Sequence, residues 1–169
     1  IGGGTPTILS ETELVGLLRS LKDAFKIPEE AEITVEANPG TLNKQKLQAL
    51  KRSGTTRLSI GAQSFSNRSL QTLGRIHTFE QFISNYNDAR EIGFDNINVD
   101  LIFAFPGQDL KEWAETLKQA VDLKPDHIAL YCLSIDEGSK FFDDKIKPCD
   151  PDLEADMYEL CIKYLAGCG

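Results

Sequence analysis

Patterns typical of helices and of strands alternate along the whole chain of 169 residues. Three of the strands follow turns of the same kind, which read Ser53-Gly54-Thr55-Thr56, Ile92-Gly93-Phe94-Asp95 and Leu123-Lys124-Pro125-Asp126. Such a βα repeat predicts an α/β fold in which helical crossovers join the strands of a parallel sheet. A complete eight-fold barrel takes about 250 residues. We therefore predict a partial TIM-type barrel, a fragment of a longer (βα)n array.

The predicted elements are separated by turn and capping signals. The periodicity of apolar residues predicts strands at 32–37, 57–63, 96–103 and 127–134, and helices at 11–25, 42–53, 67–73, 78–91, 109–121 and from 150 onward. Three helix starts pair a capping residue with a Glu or Gln three positions later: Ser10 with Glu13, Thr78 with Gln81 and Asp109 with Glu112. In the first helix, one apolar stripe is expected to consist of Leu14, Leu17, Leu18, Leu21 and Phe25.

Apolar and polar side chains alternate along the predicted strands and therefore separate onto two faces of the sheet. One face carries branched apolar side chains that suit packing against helices: Ile33, Val35, Leu58, Ile60, Ile97, Val99 and Leu101. The opposite face is polar or small: Thr34, Glu36, Ser59, Gly61, Gln63, Asn98 and Asp100. The inner layers of a filled barrel are mostly apolar, so this polar face predicts a cavity. In the fourth strand the alternation is ambiguous and does not decide which side Ser134 takes.

Three of the polar residues, Glu36, Gln63 and Asp100, come near the carboxyl ends of their predicted strands. Parallel α/β folds bind ligands at this edge. Asp100, Gln63 and Arg75, the residue after Gly74, each also have a purely structural interpretation. Asp100 could be a buried acid with partners inside the protein, Gln63 a loop anchor, and Arg75 a solvated surface arginine. Several converging polar groups need partners, however, and a polar ligand would supply them.

The run Gly2-Gly3-Gly4-Thr5-Pro6-Thr7 lies between the end of a predicted strand and the start of the first helix. Consecutive glycines let the backbone approach a ligand closely and offer its N–H and C=O groups, because no Cβ is present. Pro6 then ends any strand. From these residues alone, an ordinary βα turn and a ligand-binding loop both remain open.

The composition excludes several classes of function. The net charge is −8. Sequence-independent binding of the nucleic acid backbone is therefore not expected, because it needs clustered Lys and Arg. No apolar run approaches the roughly 20 residues that a membrane span needs. The four cysteines, Cys132, Cys149, Cys161 and Cys168, form no C-x-x-C pair, and they predict free thiols in a reducing cytoplasm without a zinc site or disulfides.

Several motifs occur together in a fixed order, and the combination is very specific. They are Gly2-Gly3-Gly4-Thr5-Pro6-Thr7, Glu32-Ile33-Thr34-Val35-Glu36-Ala37-Asn38-Pro39-Gly40, Ser59-Ile60-Gly61-Ala62-Gln63-Ser64-Phe65, Leu73-Gly74-Arg75-Ile76-His77, Asn98-Val99-Asp100-Leu101-Ile102 and Pro106-Gly107-Gln108. The chain thereby resembles the radical S-adenosylmethionine (SAM) enzymes of the oxygen-independent coproporphyrinogen III oxidase group. Tyr131-Cys132-Leu133-Ser134-Ile135-Asp136-Glu137-Gly138 and Ala155-Asp156-Met157-Tyr158-Glu159-Leu160 make it most similar to the HemW branch of heme chaperones.

This resemblance implies a set of cofactor-binding residues. Gly3, Gly4 and Thr5 would bind the methionine end of SAM, and Arg75 would pair with its carboxylate. A further group would hold its amino, ribose and adenosine parts: Glu36, Gln63, Asp100 and Ser134. A fork-shaped guanidinium suits a carboxylate. The resemblance assigns no catalytic residue and no metal ligand within the chain.

The chain departs from the family pattern at both ends. The C-x-x-x-C-x-x-C loop whose thiolates hold a [4Fe-4S] cluster is expected upstream of Ile1, and the C-terminal domain is also missing. Residues 1–169 would thus be a partial radical SAM core, with the cluster ligands outside this chain. None of the four cysteines matches a ligand of the cluster.

The resemblance leaves two functions open, and the residues alone add a third. The first is the core of a heme chaperone that binds heme or porphyrin and hands heme to recipient hemoproteins. Peripheral membrane association would then concern the full-length protein and not this stretch. The second is a coproporphyrinogen III dehydrogenase, which oxidatively decarboxylates propionates by radical chemistry in porphyrin biosynthesis. The third is a metal-free barrel isomerase that acts on a small phosphate ester, for which a catalytic base and a late phosphate loop are absent from the sequence.

Overall fold

A computed structural model describes residues 1–168 and confirms the predicted parallel α/β fold. In chain order the elements are a 3₁₀ helix (Pro6–Ile8), α1 (Glu11–Ala24), β1 (Thr34–Ala37), α2 (Lys44–Arg52), β2 (Arg57–Gln63), α3 (Asn67–Thr72), α4 (Phe79–Ile92), β3 (Ile97–Phe103), α5 (Leu110–Asp122), β4 (His127–Cys132), α6 (Lys140–Asp143) and α7 (Pro151–Ala166). The four strands form one sheet in the order β1-β2-β3-β4. Strand β1 pairs with β2 in parallel, from Thr34 opposite Arg57 to Ala37 opposite Ile60.

The chain divides into two compact units, which we describe separately. The first consists of residues 1–62, 77–99 and 125–127, and the second of 63–76, 100–124 and the chain from Ile128 onward. In the first unit, α2 packs against α1 and α4. Its core is built from side chains that are almost fully buried: Leu14, Leu18, Val35, Leu47, Leu50, Leu58, Ile60, Phe82, Ile97 and Val99.

The second unit is centred on Trp113 of α5, which is completely buried. Its ring stacks on Phe103 with 5.3 Å between centroids. Its indole N–H donates to the Met157 carbonyl and lies near the Cys161 sulfur, both at 3.1 Å, on α7. A buried indole needs such an acceptor, and the pair therefore fixes how α7 packs on α5.

The helix starts predicted at Ser10, Thr78, Asp109 and Asp150 are confirmed, whereas α2 begins at Lys44, two residues after its predicted start. Ser10 with Glu13 and Thr78 with Gln81 form complete capping boxes. Asp109 accepts from the Glu112 amide at 2.7 Å, and Pro151 begins α7 behind the capping residue Asp150. These caps satisfy N–H groups that have no partner inside the helix.

Six of the seven apolar residues assigned to one strand face are fully buried; Ile33 is only half-buried. Strand β1 begins at Thr34, so Ile33 lies just outside it.

The apolar stripe of α1 is narrower than predicted, because Leu17 is 37% exposed and Phe25, which caps the helix end, is 63% exposed. The 3₁₀ helix and α6 were not predicted, because both are too short to show a periodicity of apolar residues. No helix within residues 1–168 has the length and apolar character to cross a membrane.

Candidate functional site

The glycine run forms an open turn in the first unit. Gly3 and Gly4 have φ angles of 83° and 85°, a left-handed conformation that favours glycine. Both residues are exposed, and a Cβ on either would meet no atom within 4 Å. Thr5 is half-buried, and the 3₁₀ helix follows at the buried Pro6. The backbone groups of this turn are therefore accessible to a ligand.

The turn is held against the carboxyl end of β1. The Gly3 N–H donates to Oε2 of Glu36 at 3.1 Å, and the Asn38 amide donates to Oγ1 of Thr5 at 2.6 Å. A Cβ on Gly2 would collide with the Glu36 carboxylate. The structure thus brings together three of the predicted residues, Gly3, Thr5 and Glu36, and leaves the Glu36 side chain exposed.

A set of polar contacts behind the turn was not predicted from the sequence. The hydroxyls of Thr7 and Thr41 are hydrogen-bonded at 2.6 Å, and the Lys46 ammonium donates to the carbonyls of both residues at 2.6 and 3.0 Å. The Gly40 amide donates to Oδ1 of Asn85 at 3.0 Å. The sequence Asn38-Pro39-Gly40 predicted a turn. The contacts with Lys46 on α2 and Asn85 on α4 could not be predicted, because no nearby sequence pattern marks these two residues as partners.

The other four predicted residues belong to the second unit. Gln63 ends β2 and is buried, with a left-handed φ of 65°. Arg75 is exposed and follows Gly74, whose φ is 66°. Asp100 is half-buried and is the fourth residue of β3, so the expectation that it lies near the strand end is wrong.

Ser134 lies outside β4, which ends at Cys132 instead of continuing to residue 134. Its side chain is exposed, and its hydroxyl lies 3.2 Å from Oδ2 of Asp136. The strand ends early because Leu133 is the last residue whose amide bonds back to the neighbouring strand, at the Phe103 carbonyl. Ser134 is therefore a loop residue, for which alternation along a strand has no meaning.

Part of the polar strand face is satisfied within the protein. In the first unit, the Asn98 amide donates to the Ser59 hydroxyl at 2.7 Å, and Nδ1 of His127 lies 2.5 Å from Oδ1 of Asn98. Ser59 and Asn98 are buried. These two polar residues thus have side-chain partners without a ligand. His127 was missed, since its partner is on another strand.

The described cysteines do not assemble a metal site. Cys132 ends β4, Cys149 precedes α7, and Cys161 is buried inside α7. Partial burial, and then the neighbouring Glu154 carboxylate, raise the pKa of the Cys132 thiol to about 11. Thiolates are the form that binds metals, so this shift opposes binding. Across residues 1–168 there is no group of three or more His, Cys, Asp or Glu side chains that could hold a metal ion.

The comparison with protein families identifies the chain. The model of the radical SAM superfamily matches residues 1–120. The chain belongs to the radical SAM superfamily. The resemblance drawn from the sequence motifs is confirmed. This family match does not support the isomerase alternative.

The most similar curated relatives include heme chaperones. This radical SAM chain is 36% identical to the heme chaperone HemW of Bacillus subtilis and 37% identical to that of Escherichia coli, in each case with 100% of the chain covered. It is 33% identical to the bovine mitochondrial radical S-adenosyl methionine domain-containing protein 1 over 94% of the chain. The matches cover 46%, 45% and 37% of these relatives, so the chain spans less than half of their length.

Solved structures confirm the barrel type. Coproporphyrinogen III oxidase (HemN) from Escherichia coli, described as a radical SAM enzyme, matches with a TM-score of 0.89 and 32% identity. The match covers 99% of this chain and 39% of that one. The archaeal Elp3 of Methanocaldococcus infernus has a TM-score of 0.78 at 20% identity, covering 95% of this chain and 43% of that one, and shows the fold alone.

Proposed function

We propose that this chain is the SAM-binding core of a heme chaperone, which in its full length binds heme and delivers it to hemoproteins. The observation that carries the cofactor part of the proposal is the open glycine turn beside the Glu36 carboxylate. The heme part is supported by the HemW relatives, whose match extends over this whole chain. A cytoplasmic location stays a prediction that rests on the free cysteines.

The residues of the turn fit the amino acid end of SAM. An ammonium group needs acceptor oxygens, and the exposed Glu36 carboxylate, together with the free carbonyls of an open glycine backbone, supplies such acceptors. We propose that Arg75 binds the cofactor carboxylate and that Gln63, Asp100 and Ser134 contact its ribose and adenosine parts. When bound, SAM supplies the radical chemistry after which this superfamily is named.

The described residues do not fit a [4Fe-4S] cluster. Such a cluster is held by cysteine thiolates, and no suitable group of ligands occurs within residues 1–168. We therefore propose that the ligands of the cluster lie outside the 169 residues.

The second candidate function is a coproporphyrinogen III dehydrogenase. It is favoured by the structural match to HemN, with a TM-score of 0.89. The two functions are separated by the full-length protein: a chaperone would retain heme through gel filtration, as measured by its Soret absorbance. A dehydrogenase would instead consume coproporphyrinogen III in an anaerobic assay with SAM and a reductant.

The cofactor part is tested by calorimetry on the full-length protein with SAM. Glu36→Gln removes the charge but keeps an acceptor for the Gly3 amide, and we expect it to weaken SAM binding about tenfold because a charge-assisted bond is lost. Glu30→Gln, in an exposed turn before β1, serves as the matched control and should bind as the wild type does. Equal affinities for all three proteins would contradict the role of Glu36.

A further inference from the structure

The turn that follows β3 is buried and strained. Ala104, directly after the strand, has a φ of 59°, which side chains with a Cβ rarely adopt, and Gly107 has a φ of 84°. The residues around this point have almost no exposure, at 3% for Phe103, 2% for Ala104 and 2% for Phe105. A non-glycine residue persists in this conformation only when its surroundings enforce it.

The Gln108 side chain enforces this conformation. Its Oε1 accepts a hydrogen bond from the Ala104 backbone amide at 2.8 Å, and the backbone N–H of Gln108 donates to the Phe105 carbonyl at 3.1 Å. Both bonds close the turn between Ala104 and Gln108. Gln108 is itself 4% exposed, so water does not compete for the Ala104 amide. The glutamine therefore acts as a clamp across the turn.

The clamp leaves a polar atom without a partner. Nε2 of Gln108 is buried and has no hydrogen-bond partner among residues 1–168. A buried donor without an acceptor is destabilising. An apolar side chain of similar size would avoid this unpaired donor but would leave the Ala104 amide unpaired instead. The Nε2 atom of the Gln108 side chain is thus unfavourable for stability, whereas the Oε1 atom of the same side chain holds the Ala104 backbone. Such a conflict points to a role other than stability.

The neighbouring strand ends in the same way. Gln63, the last residue of β2, is also buried and left-handed, with a φ of 65°. Strained residues cluster at ligand-binding sites, where the strain fixes a geometry that a relaxed chain would not keep. We infer that Gln108 is a positioning residue for the SAM site: by clamping Ala104 it fixes the end of the strand that carries Asp100. This inference rests on the proposed function.

The consequence for Asp100 follows from the geometry of the strand. If Ala104 relaxed to an extended conformation, the chain after Phe103 would change direction. Phe105, on the far side of Ala104, is buried and holds the chain there. A relaxed Ala104 would therefore displace Phe103 from its stack on Trp113, and Asp100, three residues before Phe103 on the same strand, would shift with it.

The experiment compares variants of the full-length protein by calorimetry with SAM and by urea unfolding. Gln108→Met keeps the side-chain volume and removes the acceptor, and we expect at least a fivefold loss of SAM affinity. We expect little change in the unfolding midpoint, because an unpaired Ala104 amide replaces the unpaired Nε2. Adding Ala104→Gly should restore the affinity to within twofold of the wild type, since glycine adopts a left-handed φ without a clamp.

Several results would overturn the inference. Wild-type affinity in Gln108→Met would show that the clamp does not position the site. A loss that Ala104→Gly does not restore would show that packing, and not the turn, is responsible. If Gln108→Met does not fold, Gln108→Asn takes its place, because it keeps a buried amide but is one methylene too short to reach Ala104; the same loss and the same restoration are expected. Absence of SAM binding by the wild type would overturn the proposed function itself.

Discussion

The amide of Gly3 donates a hydrogen bond to the carboxylate of Glu36 across 33 positions of sequence, at 3.1 Å. The bond joins the glycine turn to the carboxyl end of β1. It also orients an acidic side chain that stays exposed. Any change that displaces this carboxylate is expected to act on ligand binding more than on folding.

Gly2→Ala is the most direct test of this relationship. The new Cβ would collide with the Glu36 carboxylate, which is the free end of a flexible side chain and can move away. We expect SAM affinity to fall on the order of tenfold, about 1.4 kcal/mol, with little change in stability. The control is Gly16→Ala in α1, where a Cβ meets nothing within 4 Å and where alanine should stabilise the helix by roughly 0.5–1 kcal/mol. Unchanged SAM affinity in Gly2→Ala would contradict the prediction.

Arg75 is predicted to bind the carboxylate of SAM through a bidentate contact. Arg75→Ala loses the charge and the fork, and we expect about a tenfold loss of affinity in the full-length protein. Arg75→Lys loses only the fork and should bind with intermediate affinity. Arg68→Ala, an exposed arginine on α3, is the matched control. Calorimetry that finds one affinity for all four proteins would rule out this role.

The acid sensitivity of the first unit is predicted to involve Asp126. Partial burial acts to raise its pKa, but the Ile97 amide and the Arg90 guanidinium, 2.8 Å away, outweigh it and lower the pKa below its ordinary value of 3.8. A carboxyl group with a lowered pKa stabilises the fold above its unfolded pKa, and the contribution is lost as the pH falls through the folded value.

The corresponding variant is Asp126→Asn, which keeps an acceptor for the Ile97 amide and removes the charge. We expect it to reduce the free energy of unfolding by roughly 1 kcal/mol at pH 7, since the pair is partly exposed. Urea titrations of both proteins should show this difference shrinking below about pH 4. A difference that does not depend on pH would exclude the ion pair as its cause.

The 169-residue chain is predicted to have no radical chemistry of its own. Reductive cleavage of SAM needs an electron from an iron–sulfur cluster held by cysteine thiolates, and the cysteines of the described part of the chain lie on separate elements. An anaerobically reconstituted sample should show neither stoichiometric [4Fe-4S] absorbance nor 5′-deoxyadenosine after addition of SAM and dithionite. Formation of both in proportion to protein would mean that some of these cysteines are cluster ligands.

Local features of the sequence determined the elements and the fold class. Capping by Ser10 and Thr78 depends on residues three positions away, and β2 at Arg57–Gln63 matches its prediction because alternation and the flanking turns act within a few residues. The predicted strand boundaries that were wrong, such as the end of β4 at Ser134, are those where pairing with another strand decides how far the strand extends.

The tertiary structure alone decided which polar side chains meet. The pairing of Gly3 with Glu36 and of Asn98 with His127 follows from which strand ends and strand starts lie side by side, and no periodicity encodes it. The turn at Pro106-Gly107-Gln108 was predicted from the sequence. The hydrogen bond from the Ala104 amide to the Gln108 side chain was not, because it depends on a left-handed φ at Ala104 that no sequence pattern predicts. Backbone conformation at a non-glycine residue is set by the packing around it, and packing exists only once the chain has folded.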